Sequence, residues 1–173
     1  MDDDNTPGLR MAHKYDNLAK HLADLFSEMR KIGLPDVVAK GGVGEILLAN
    51  CLTHDLPAAD KGADGVSQDG KKYEYKVSIT GQFNFHFGTR EDDDAPRQKI
   101  ERHFEDIEGA FCAHRIDAKF KTIAYCPTET LRPFLITHFE SNTGKQLNKN
   151  ISLREFLKIP GAKVVPIPPQ FQA

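Results

Sequence analysis

Asp64-Gly-Val-Ser-Gln-Asp-Gly-Lys-Lys-Tyr-Glu-Tyr-Lys-Val-Ser78 reads as an acid, a tight turn and a short strand. From Lys72 to Ile79 the residues alternate: Lys72, Glu74, Lys76 and Ser78 fall on one face, Tyr73, Tyr75, Val77 and Ile79 on the other. The aromatic and aliphatic face can be buried, while the opposite face carries charge. Just upstream, Gln68-Asp69-Gly70-Lys71 has the Asp-Gly chemistry of a hairpin turn. Asp64 is therefore expected to end or occupy a preceding antiparallel strand and to return beside Glu74. Two converging carboxylates suit a hard divalent cation such as Mg²⁺, with Mn²⁺ as a substitute, because such ions take oxygen ligands and keep several waters. Lys76 projects from the same face as Glu74, where an ammonium can hold or help deprotonate a water aimed at a phosphate. A solvated charge ladder on a half-exposed strand would show the same residues, and an acid followed by Glu-x-Lys is a common pattern.

Context separates the two readings. Asp36-Val-Val-Ala-Lys-Gly-Gly precedes an apolar helix; Asp64-Gly-Val is followed by Gly70-Lys-Lys-Tyr-Glu-Tyr-Lys76; an apolar strand follows Ile107; Thr122-Ile-Ala-Tyr-Cys-Pro127 comes after it. In this order the pieces resemble the PD-(D/E)xK nuclease superfamily, and within it the chain is similar to the PvuII-type type II restriction endonucleases. The likeness spans most of the chain and is densest from Asp64 to Ser78. The proline that names the superfamily is replaced by Ala63. The resemblance implies an α/β fold, a restriction-endonuclease-like mixed central β-sheet flanked by helices. It also implies that Asp64 and Glu74 are metal ligands, that Lys76 is the catalytic lysine, and that the main-chain carbonyl of Tyr75 also meets the metal. A homodimer with one centre for each strand of a palindromic double-stranded DNA site would follow.

Length and composition bound the rest. A chain of 173 residues is expected to form one domain with a substantial core, and 28% charged against 39% hydrophobic residues is an ordinary globular composition. No apolar run reaches membrane-spanning length and no cationic-then-apolar leader is present, so no membrane partner is expected and a cytoplasmic location is the default. Cys51, Cys112 and Cys126 are widely spaced in apolar surroundings, as reduced core thiols would be. The net charge is −2, but the part from Phe111 onward holds nine Lys or Arg against four Asp or Glu, an asymmetry that weakly favours a nucleic-acid partner.

Residues 1–8, with Asp2-Asp-Asp and Pro-Gly, are expected to be a flexible acidic start. Residues 9–33 repeat apolar side chains at Met11, Tyr15, Leu18, Leu22, Leu25, Met29 and Ile32, the spacing of an amphipathic helix stopped by Gly33. Its stripe suits either its own domain or a second copy. Gly41-Gly-Val-Gly44 opens a second helix running from Val43 to about Thr53. No Gly-Lys-Ser/Thr follows the glycines, so no nucleotide cofactor is expected. Glu45 sits in that helix's first turn, where it favours the helix dipole or adds a carboxylate to the metal site, as a helix glutamate does in some superfamily members.

Beyond the motif, Phe83, Phe85 and Phe87 alternate with Asn84, His86 and Gly88, so a strand would bury the rings and present the polar set. Asn84 and His86 can read base edges and Arg90 suits guanine or phosphate. An ordinary amphipathic strand explains the same pattern. Glu91-Asp-Asp-Asp94 is expected to be a surface turn facing away from DNA. Arg97 to Glu108 reads as a helix, with strands from Gly109 to His114 and from Lys119 to Tyr125. Leu131 to Phe139 reads as core without an assigned element. Ser141 to Asn150 reads as a polar loop. In the resembling family a loop near this position places an asparagine on adenine, so Asn148 or Asn150 would be the counterpart, with Lys145 and Lys149 on phosphates. Ser152-Leu-Arg-Glu155 has the form of a capping box, and Val164 to Ile167 of a last strand.

Taken together, the residues and the resemblance imply a Mg²⁺-dependent, site-specific double-strand DNA endonuclease of the restriction type. Two alternatives share the pattern: a structure-specific nuclease of the junction-resolvase kind, and a non-catalytic DNA-binding module of the same fold.

Overall fold

The strand at Lys72–Ser78 is an inner strand of a five-stranded mixed sheet. The computed structural model describes residues 21, 23–31, 33, 42–57, 62–90 and 95–173. The chain divides into two compact units, Met1–Lys40 and Gly41–Ala173, and the expected strands and the Glu45 helix fall in the second. In the first unit, residues 23–31 form helix α1, and Gly33, at φ +71°, ends it with its N–H donating to the Arg30 carbonyl. The expected acidic start at 1–8, the start of the expected 9–33 helix, residues 36–41 and the acidic turn at 91–94 lie outside the described residues.

The second unit runs α2 (Val43–Leu52), β1 (Gly65–Val66), β2 (Lys72–Ser78), β3 (Gln82–Thr89), α3 (Pro96–His103), β4 (Ile107–Ile116), β5 (Lys119–Pro127), α4 (Thr128–Ser141), β6 (Gln146–Ser152), α5 (Leu153–Phe156) and β7 (Lys163–Val165). Sheet order is β1-β2-β4-β5-β7. Only β2 and β4 are parallel, and β3 with α3 makes the crossover between them. β3 pairs with β6 as a separate two-stranded ribbon.

Alternation along β4 divides the core. Ala110 and Cys112 point into a cluster with Phe83, Phe85, Phe104, Leu131, Leu135 and Phe139. Phe111 and Ala113 point the other way, towards Leu48, Cys51, Tyr75 and Ile123. All three cysteines are free and buried. In register, Glu74 lies beside Ala110 and Lys76 beside Cys112, so the charged face of β2 looks towards the α3 and α4 cluster. Among the described residues no helix is long and apolar enough to cross a membrane.

Three local expectations are corrected. The polar loop at 141–150 is in large part strand β6. Its glycine and asparagines are poor strand formers, but Leu147 and Ile151 bury against the ribbon's inner face and cross-strand pairing overrides propensity. The helix from Arg97 stops at His103, because Ile107 is drawn into the sheet opposite Lys72. The segment around Leu131 to Phe139 belongs to one helix, α4, which contains Pro133. Pro133 faces solvent, where the carbonyl its ring leaves unpaired can meet water. The Ser152/Glu155 capping box is present in both directions.

Candidate active site

The hairpin β1–β2 builds the site by bringing an acid back onto its own return strand. Ser67 and Lys71 close the turn, which Gly70 completes at φ +83°. Gly65 pairs with Tyr73, so Asp64, one residue earlier, comes alongside Glu74. Its main-chain N–H donates to the Tyr73 carbonyl at 2.9 Å, and its Oδ2 accepts the Tyr75 N–H at 2.8 Å. The acid is thus held from both ends, and Oδ1 has no partner among the described residues. Strand geometry sends the Tyr75 carbonyl out of the same edge as its N–H, the edge where β1 has ended.

Glu74 is only 5% exposed, so the solvated charge ladder is excluded at the residue that matters. Both of its oxygens are engaged. Lys76 Nζ donates to Oε1, and His103 Nε2, at the end of α3, stands 3.2 Å from Oε2. Edge contacts with Phe87 and Phe104 hold the His103 ring.

The electrostatics follow from this crowding. Burial, then the charge of Glu74, pushes the Asp64 carboxyl up to about 6, and the Tyr75 N–H and Lys76 only partly oppose them. Burial would raise Glu74 as well, but His103 and Lys76 override it and hold that carboxylate down at about 2. Burial alone would lower Lys76, yet the adjoining Glu74 and then Asp64 more than offset it and keep the ammonium charged at neutral pH. Glu45, in the first turn of α2, feels both Lys76 and Glu74 and is itself raised, chiefly by burial. Gly44 allows that turn to sit against β2: a Cβ there would lie 2.9 Å from Val77 Cβ. The sequence left Glu45 between a dipole role and a carboxylate for the site, and its position joins it electrostatically to the site.

Among the described residues no three His, Cys, Asp or Glu side chains are gathered tightly enough to hold a metal by themselves. Mg²⁺ does not require such a cage, since it is commonly bound through one or two carboxylates with waters and substrate oxygens completing its shell. The donor set fits that mode. Asp64 Oδ1 and the Tyr75 carbonyl share one edge, Glu74 is ionised beside them, and Asp64, raised first by burial and then by the charge of Glu74, is a carboxylate that a divalent cation would stabilise.

The ribbon carries the polar set expected to read bases. Asn84 stands opposite Asn150 and His86 opposite Asn148, all four exposed, while Phe83, Phe85, Leu147 and Ile151 bury beneath them. The Asn84 amide donates to Oδ1 of Asn150 at 2.8 Å and also to Oδ1 of Asn148. Two segments that the sequence separated by more than fifty residues therefore make one face. Other candidates do not join it. Arg90 is committed within the protein: its guanidinium donates to the carbonyls of Phe139, Asn142 and Gly144 and closes the end of α4. Lys149 points to the other face of β6, over the Phe134 ring, where it lines a concavity of about 580 Å³ beside α4. Lys145 is exposed at the start of β6, its carbonyl accepting the Arg90 N–H at 2.8 Å.

His103 is the site residue that sequence reasoning did not assign. Where α3 ends decides that it faces Glu74. Comparison with protein-family models and with curated proteins finds no match to this chain.

Proposed function

We propose that the protein is a Mg²⁺-dependent endonuclease that hydrolyses phosphodiester bonds of double-stranded DNA at specific sites, in the manner of a type II restriction enzyme and as a homodimer on a palindromic sequence. The observation that carries this reading is the conjunction on one strand edge of Asp64, the ionised and buried Glu74, and the charged Lys76. A buried carboxylate–ammonium pair beside a second, strained carboxyl is costly to fold, and structural pairing alone does not call for the additional acid.

In this reading Asp64, Glu74 and the Tyr75 carbonyl hold the cation, and Glu45 stands near enough to modulate its charge. The bound ion supplies electrophilic stabilisation of the phosphoryl oxygens and lowers the cost of forming hydroxide. Lys76 supplies a fixed positive charge that orients the attacking water and faces the charge growing on the phosphate. As a cation it acts by orientation, not as a base, for as long as Glu74 is ionised beside it. His103 keeps Glu74 from turning away. The Asn84, His86, Asn148 and Asn150 face supports sequence reading, since a two-stranded ribbon fits the major groove and these side chains pair with base edges.

The test is cleavage of sequence-diverse plasmid and phage DNA with Mg²⁺, beside an EDTA control and Lys76→Ala. Discrete fragments that vanish in both controls are expected, and their sequenced ends would give the site. Branched-only cutting would favour the junction-resolvase alternative. DNA binding without cleavage or metal binding would favour the non-catalytic one.

A further inference from the structure

Behind the site, on the opposite face of the sheet, the phenol of Tyr75 makes a contact that the chemistry above does not use. Its oxygen lies 2.6 Å from Nδ1 of His54, and the residue is 2% exposed. His54 stacks on Tyr73 at 5.0 Å between ring centroids and meets the Phe111 ring edge-on at 5.7 Å. The contact joins the two side chains whichever tautomer His54 adopts, since either Nδ1 or the hydroxyl can donate. The phenol crosses over Gly65, the neighbour of Asp64, where a Cβ would lie 2.1 Å from the oxygen.

His54 is also fixed from its own side. Its N–H donates to the Ala49 carbonyl at 2.9 Å at the end of α2, the helix that carries Glu45. The next residue, Asp55, exchanges two main-chain hydrogen bonds of 2.8 Å with Val66 of β1. His54 thus stands where α2, β1 and β2 meet, the three elements that deliver Glu45, Asp64 and Glu74.

The geometry points to His54 as a positioning residue: by its hydrogen bond to the Tyr75 hydroxyl it locks the main chain of Tyr75, whose N–H holds Asp64 and whose carbonyl faces the same edge. For the metal-binding consequence this inference rests on the nuclease reading; for the locking of Tyr75 it does not.

His54→Phe keeps a ring to stack on Tyr73 but removes the Nδ1 partner, and Tyr75→Phe removes the hydroxyl. His54→Asn places an amide oxygen near the position of Nδ1. Two readouts on the full chain distinguish the claims: hydrogen exchange of the Tyr75 amide by NMR without metal, and Mn²⁺ affinity by calorimetry. Loss of outer hydrogen bonds to a metal centre typically weakens binding about 10- to 100-fold. We expect both phenylalanine variants to exchange the Tyr75 amide at least about tenfold faster and to bind Mn²⁺ about tenfold more weakly, with the double variant no worse and His54→Asn restored towards wild type. Unchanged Tyr75 exchange in folded His54→Phe and Tyr75→Phe would overturn the proposal. Faster exchange in a protein whose wild type binds no Mn²⁺ would uphold the lock and sink the nuclease reading instead.

Discussion

His103 Nε2 lies 3.2 Å from Oε2 of Glu74, while Lys76 Nζ occupies Oε1 of the same carboxylate. One donor comes from the end of a helix and the other from the strand itself, so the plane of Glu74 is set from two directions. Replacing His103 with Ala frees one side of that carboxylate. Cleavage is expected to fall about 10- to 100-fold, with the loss concentrated in kcat and in the Mg²⁺ concentration required. Steady-state kinetics across a Mg²⁺ series checks this, and an unchanged Mg²⁺ requirement would show that Lys76 alone orients Glu74.

The two carboxylates should respond oppositely to neutralisation. Asp64 binds its proton more tightly folded than unfolded, so it lowers stability as pH rises from 3.8 through about 6, and the full cost stands above that. Asp64→Asn in EDTA at pH 8 should therefore melt higher than wild type, by at most roughly 3 kcal/mol at 1.36 kcal/mol per pH unit. Glu74 has the reverse sign. Its contribution is present above 4.5 and is lost as pH falls towards about 2. Glu74→Gln leaves the Lys76 ammonium without its partner and should cost about 3 kcal/mol or more. Melting curves of both variants between pH 4 and 8 check the pair of signs.

Mg²⁺ binding should weaken with acidity in the range that protonates Asp64. Each ion bound in acid must displace that proton, so apparent affinity should be flat above pH 7 and fall up to tenfold per pH unit well below about 6. Calorimetric titration between pH 5 and 8 measures it. The dependence should be absent in Asp64→Asn.

The ribbon and Arg90 make contrasting predictions. Asn84→Ala removes a base-edge candidate and the amide that orients Asn148 and Asn150, so discrimination at one or two positions of the site should relax by about 1–3 kcal/mol. Sequencing cleaved ends from a randomised library reads this directly.

Arg90→Ala should leave sequence preference and salt dependence of DNA binding unchanged. It strips charged hydrogen bonds from three carbonyls, so stability should fall by roughly 2 kcal/mol. Thermal melts and a salt titration of binding separate the two effects. A shallower salt slope would return Arg90 to the DNA surface.

Local chemistry placed the hairpin and β2, while the roles of the candidate site residues on them came from the resemblance. An Asp-Gly turn followed by strict alternation leaves one register that buries Tyr73 and Tyr75, and that register brings Asp64 beside Glu74. The capping box at Ser152 and the stop at Gly33 were legible for the same reason, since each is made within a few residues. Only the tertiary structure decided that Glu74 is buried, that His103 turns towards it, and that His54 backs Tyr75. Those facts depend on where α3 ends and how α2 meets the sheet. The asparagine face depended on it too, because Asn84 and Asn150 become neighbours through a pairing across distant sequence, which outweighs the weak strand preference of residues 146–150. The partners of Arg90 were illegible for the complementary reason: a guanidinium suits phosphates and helix-end carbonyls alike, and only packing shows that the carbonyls lie within reach.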